Sequence, residues 1–166
     1  MSDKRTTRGR WLQENVTDDL ANLLFKIRVE LPNENVVEKD IKPDVMIDYD
    51  ILEEQLAETP AIFAFWSSIF SELKLEVARL NQQLIRRQAK IYDAVKREAQ
   101  KNETKFAKYE LEEIVELDDK IMELRGKLMI AERNVSKVYA IIESIKMKSE
   151  HLRSLAGFKK QEMRDA

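Results

Sequence analysis

Between residues 79 and 108, nine cationic side chains (Arg79, Arg86, Arg87, Lys90, Lys96, Arg97, Lys101, Lys105 and Lys108) meet three acidic ones, Asp93, Glu98 and Glu103. The flanking segments lean the other way. Residues 1–78 hold 9 basic and 16 acidic groups, and residues 109–166 hold 11 and 12. A local charge of +6 therefore sits between −7 and −1, in a chain whose net charge is −2. Cations at this excess are not consumed by acidic partners one helical turn away, and a concentrated positive field attracts polyanions. Tyr92 lies among the cations in sequence and Phe106 just past them. An aromatic ring near cations offers a stacking surface for an unpaired base while the cations follow the phosphates. The plain alternative is that these are ordinary outward-facing charges of a coiled-coil helix.

Little else in the chain could do chemistry. There is one histidine, His151 in "KSEHLRSL", and no cysteine. A Ser-His-Asp set, a thiolate nucleophile and a zinc knuckle are all ruled out as readings. No glycine-rich phosphate loop is present. The carboxylates of "EEIVELDD" have the density of a solvated helix face more than of a metal site. The expectation is a protein that is not an enzyme and uses no cofactor or metal. No run approaches the roughly 20 apolar residues of a membrane span, and "MSDKRTTRGRWLQEN" lacks the apolar stretch of a signal peptide. Binding to a membrane surface would require a strongly apolar face opposite the basic one, and that face is committed to a helical seam. The expectation is a soluble, cytoplasmic protein without membrane contact.

Helices must position these residues. Charged residues make up 36% of the 166 and hydrophobic ones 43%, with three Gly and three Pro; this is the composition of long helices with apolar stripes. Residues 1–10, with Lys4, Arg5, Arg8 and Arg10, read as a basic flexible arm. From Trp11, the residues Leu12, Val16, Leu20, Leu23, Leu24, Ile27 and Leu31 predict an amphipathic helix of about five turns, either a core helix or one that docks on a partner. "PNENVVEKDIKP" reads as a Pro-bounded linker. Residues 11–44 thus form an extension ahead of a helical domain at 45–163, with 164–166 as a tail. Val45 and Ile47 suggest a short extended piece. Asp50 and Glu53 have capping-box spacing for a short helix that ends at Thr59-Pro60.

Two seams dominate the rest of the chain. Trp66, Phe70, Leu73, Val77, Leu80, Leu84, Arg87, Ile91 and Ala94 step by four and three without a fault, on a helix running from 60 to about 100 and roughly 60 Å long. Arg87 is a charge where an apolar residue belongs. After the polar corner "QKNETK" and a short helix in "FAKYELEEIVEL", the second seam runs Ile121, Leu124, Leu128, Ala131, Val135, Val138, Ile142, Ile145, Ser149, Leu152, Ala156. Gly157 is expected to stop it with a left-handed cap. Sustained 3-4 alternation marks left-handed supercoiling. The expected fold is all-α: a long antiparallel helical hairpin with coiled-coil seams plus shorter helices. Phe63, Phe65, Ile69, Tyr139 and Ile141 fall outside the seams, so assembly as a homo-oligomeric ring or bundle is the economical way to cover them.

In their order and spacing, "VMID", "IFAFWSSIF", "RQAKIYD", "FAKYELEEIVELDDKIMEL" and "SIKMKSEHLRSL" resemble the UvsY family of phage recombination mediators over roughly residues 45 to 163. The resemblance implies a non-enzymatic, mostly helical homo-oligomer, heptameric in the best-known case. Such proteins bind single-stranded DNA, help displace the single-strand-binding protein and help load a RecA-like recombinase. The family's DNA-binding segment lies on the helix before the corner and falls here on "RRQAK", which carries over to Arg86, Arg87 and, after a one-residue shift, Lys90. The corner lacks the Gly- and Asp-rich loop associated with the family, and residues 1–44 are an extension to it. The combined expectation is a ring, in the host cytoplasm if phage-encoded, that holds single-stranded DNA on a basic collar. Arg86, Arg87 and Lys90 would meet phosphates, Arg79, Lys96 and Arg97 would support them, and Tyr92 would stack on a base. The rival expectation is a coiled-coil adaptor that shares the seams but binds no nucleic acid.

Overall fold

The computed structural model describes residues 25–32, 35–103 and 107–165. The expected basic arm, residues 11–24 of the expected first helix, Lys105 and Phe106 lie outside them.

Two long helices form the body: α2 (Leu52–Lys101) and α4 (Asp119–Asp165). They are antiparallel, because Glu53 meets Lys159 at one end (3.5 Å) and Arg87 meets Asp118 near the other. The seams read from sequence are the contact. Every position of the second is buried or half-buried, and in the first only Ala94 is exposed. The short helix α3 (Lys108–Glu116) fills the corner and buries Val115. Ahead of the body come β1 (Lys26–Glu30), β2 (Val36–Asp40) and a one-turn helix α1 (Lys42–Val45). Among the described residues no helix is long and apolar enough to cross a membrane.

The strands correct the reading of residues 25–43. The five residues Lys26–Glu30, expected as the end of an amphipathic helix, are extended, and the expected linker supplies their antiparallel partner, with Val29 opposite Val37. Ile27, Val29 and Leu31 alternate with Lys26, Arg28 and Glu30. That is the two-residue period of a half-buried strand, enriched in β-branched side chains. Val29 is fully buried against the long helices. The hairpin thus covers Ile69 and Ile141, which need no second subunit, whereas Phe63, Phe65 and Tyr139 stay exposed.

Three boundaries also differ. Val45 closes α1 and is not extended. Asp48, not Asp50, receives the Asp50 amide (3.0 Å) and shapes the 3-10 turn that leads into α2. Helix α2 then runs through Pro60 unbroken. The missing Pro60 amide removes one backbone bond, but the seam beyond it holds the helix together, and the Thr59 hydroxyl donates to the Gln55 carbonyl (2.6 Å). Gly157 does not stop α4, which continues to Asp165 without positive φ at that residue. One helical glycine costs about 1 kcal/mol, too little to end a helix already held by the seam that runs up to Ala156.

The core lies at the base, away from the corner. Trp66, Ile69 and Leu73 pack on Val138, Ile141, Ile142 and Ile145, with Val29 closing the cluster. A polar knot fastens the hairpin there. The buried Asp44 carboxylate accepts from Trp66 Nε1 (2.7 Å) and Lys39 Nζ (2.6 Å), and buried Lys148 donates to the Pro43 carbonyl (2.7 Å). Burial pushes the Lys148 ammonium pKa down. Toward the corner the core thins to Leu80, Leu124 and Ala131.

Candidate nucleic-acid interface

A supercoiled helix presents lengthwise rows, and α2 has three. The first is the core seam. The second repeats the same 3-4 spacing on the outer side: Ala61, Ala64, Ser68, Ser71, Leu75, Ala78, Gln82, Ile85 and Ala89, all exposed and none charged. The third is Glu72, Glu76, Arg79, Gln83, Arg86, Lys90, Asp93 and Arg97, again in unbroken steps of four and three. Its sign changes along the helix from acidic to basic.

The seven residues expected at the site distribute over all three rows. Arg86, Lys90 and Arg97 stand on the third, exposed and without an ion pair among the described residues. Lys101 extends that row by one more turn and is also exposed. Arg79 stands there too, but Glu76 holds its guanidinium through two 2.8 Å bonds. Those bonds raise the Arg79 pKa and keep it charged.

Tyr92 and Lys96 continue the second row, four residues apart. At 100° per residue, Tyr92 lies roughly 120–160° around the helix from Arg86, Lys90 and Arg97. Neighbours in sequence are therefore not neighbours on the surface, and Tyr92 does not share a face with those cations. Tyr92 is half-buried.

Arg87 belongs to the core seam. Its Nε and a terminal nitrogen donate to Asp118 Oδ1 (3.1 Å) and Oδ2 (2.5 Å) in a forked pair. The bond to Asp118 raises the Arg87 pKa, and the same bond, followed by the Ile121 amide, holds the Asp118 carboxyl below the usual carboxylate range. Asp118 stands at the N-cap position of α4, where Oδ1 accepts the Ile121 amide at 3.0 Å, the third-residue bond of a helix cap. The charge on the seam is visible in the sequence. Its partner, 31 residues away, is not.

The basic row lies on an open helix face. A cleft of about 640 Å³ lies between the hairpin turn and the long helices, but its cations Arg79, Lys120 and Lys127 are all paired with glutamates. Among the described residues no three His, Cys, Asp or Glu side chains gather as a metal would require. An exposed row of cations on a helix can grip an anionic polymer by charge and leave its sequence unread.

Comparison with known proteins bears on this geometry. Two crystal structures of the bacteriophage T4 recombination mediator protein UvsY, in different lattices, share the fold with TM-scores of 0.59 and 0.56. Each is 17% identical and aligns over 74% of this chain and 92% of the other. At that identity the likeness speaks for the fold alone. No curated protein sequence matches the chain. Residues 40–163, which include both long seams and the whole basic row, match the family described as recombination, repair and ssDNA binding protein UvsY. With most of its length inside that match, the chain belongs to the UvsY family.

Proposed function

We propose that the protein is a single-stranded-DNA-binding recombination mediator: a ring-like homo-oligomer, a heptamer on the family's pattern, that helps load a RecA-like recombinase in place of a single-strand-binding protein. The observation that carries this reading is that the family match spans the exposed row Arg86, Lys90 and Arg97, which has no ion pair among the described residues. Residues 45–163 are the mediator domain in this reading, and residues 1–44 are an addition to it. No covalent step is involved. The role is electrostatic and organisational.

The row is short, since Arg86 to Arg97 spans roughly 16 Å of helix, so one copy grips few phosphates. Several copies on one strand act at high effective concentration and turn weak grips into a firm hold. The uncharged outer row of α2 supports such an assembly. A chain in which 36% of residues are charged leaves nine successive heptad-spaced positions neutral, and mostly small, on an exposed face. Small residues let a second helix approach closely, and exposed Phe65 and Tyr139 offer further apolar area.

The test is an anisotropy titration of single- and double-stranded oligonucleotides over a salt series, with subunit count from light scattering. Log affinity for the single strand should fall with log salt by about 0.7 per phosphate neutralised. Arg86→Ala, Lys90→Ala and Arg97→Ala together should remove most binding and about 2 units of that slope, with the subunit count unchanged. Normal binding by the triple variant would sink the site assignment. An intact oligomer whose parent form shows no salt-sensitive binding would favour the adaptor reading.

A further inference from the structure

We infer that Arg87 is not a phosphate ligand but a positioning residue: clamped by Asp118, it fixes how the basic end of α2 is presented. The inference rests on the reading of the Arg86–Lys90–Arg97 row as the DNA contact. It assigns Arg87 a role different from that of its sequence neighbours.

The pair sits where the apolar packing of α2 becomes sparse. None of residues 81–101 of α2 is fully buried, and the last buried residue before the corner is Leu80. Beyond it the helix continues for about 30 Å at 1.5 Å per residue, carrying Arg86, Lys90, Arg97 and Lys101. Apolar contacts there are partial: Leu84 and Ile91 are half-buried and Ala94 is exposed. Partial apolar contact is non-directional and leaves rotation and sliding of the helix weakly defined. A forked guanidinium–carboxylate pair has fixed geometry, and Arg87–Asp118 is the one such pair joining α2 to the start of α4 among the described residues.

Asp118 holds a helix end at the same time. Its Oδ1 caps α4 through the Ile121 amide and also accepts from Arg87 Nε. The carboxylate is thereby fixed to the end of α4, and through Arg87 so is α2. A phosphate could take the Nε edge of the Arg87 fork only by displacing a carboxylate that is itself anchored by a helix end, and at the remaining edge it would meet a guanidinium whose charge Asp118 already balances. Arg86 and Lys90, one residue before and three after, need no such exchange.

The two roles predict opposite signs for one substitution. Asp118→Asn keeps the cap, since Asn caps as well as Asp, and removes the charge facing Arg87. If Arg87 were a phosphate ligand held in reserve, this change would free it, so single-strand affinity and the salt slope would both rise. If Arg87 positions the row, affinity falls. We expect Asp118→Asn and Arg87→Ala each to lower single-strand affinity about 3- to 10-fold, with the double variant no weaker than either alone, as coupled partners behave. The salt slope should stay at the parent value in all three, because no phosphate contact is removed, whereas Arg86→Ala lowers it by about 0.7. Asp118→Glu, which retains the carboxylate, should recover part of the loss. Tighter binding in Asp118→Asn, or a slope reduced by Arg87→Ala alone, overturns the inference and leaves the proposed function standing. A parent protein without salt-dependent binding overturns both.

Discussion

The two ends of the helical hairpin are built from the same pair of helices in the same heptad register, yet they are held in different ways. At the base, Trp66, Leu73, Val138 and Ile145 are at most 1% exposed, and a β-hairpin covers them from a third side. The buried carboxylate there, Asp44, accepts from both Lys39 and Trp66 on Oδ2. Toward the corner the β-hairpin gives way to the short helix α3, the buried side chains are fewer (Leu80, Leu124, Ala131, Ile121 and Val115), and a forked ion pair joins the seam. The base resists change because its side chains have neighbours on all sides. The other end leaves Arg86, Lys90 and Arg97 exposed and without an ion pair among the described residues, and so available to something outside the chain. Regions of low local packing are where binding surfaces are usually drawn from.

Truncation at the base should have the largest effect. Trp66→Ala removes a fully buried indole and the donor facing Asp44, and should cost about 3–5 kcal/mol in a denaturant melt. Ile91→Ala, the matching cut in the half-buried outer seam, should cost about 1 kcal/mol or less. Equal losses would mean that the two ends are packed alike. Next in size is a response to acid that belongs to the corner side. Asp118 is held below the usual range by Arg87, and Glu123 down to about 2 by Lys120 and then Lys127. A carboxyl with a depressed native pKa contributes stability that is complete above its unfolded value and is lost as pH falls through the folded one. Thermal midpoints followed from about pH 5 to about pH 2 should therefore decline less steeply in Asp118→Asn/Glu123→Gln than in the parent. Parallel curves would deny these pairs any role. Smallest is Gly157→Ala in α4. Nothing lies within 4 Å of the added Cβ, so the change should raise stability by about 0.5–1 kcal/mol and leave single-strand binding as it was.

Much of this can be read in the chain, and the failures share a cause. Both seams, the antiparallel hairpin and the family resemblance follow from heptad spacing and motif order, which long helices print plainly into sequence. The strand at Lys26–Glu30 escapes such a reading because Ile27 and Leu31 satisfy a helical step as well as a strand alternation, and only Val29 between them breaks the tie. Pro60 carries the weight that local propensity assigns it, and packing along the seam outweighs it, whereas the helical cost of Gly157 is too small to stop a helix already formed. At the site the cluster of cations is legible but its division is not. Counting charge along the chain puts Tyr92 beside Lys90, whereas the helix turns them to different faces. Arg87 stands out as a misfit on its seam, yet nothing near it in sequence names Asp118, which comes from the far side of the corner.

Trp66 gives the base a built-in optical probe. Its indole is fully shielded, and its N–H is bound to a carboxylate that the segment after the β-hairpin supplies. With Trp11→Phe as background, emission would come from that position alone. A red shift would then signal that the strands had lifted from the helices, before any loss of helix registered in circular dichroism. The same signal would be blind to events at the corner, so a strand of DNA settling there should leave the emission maximum where it was.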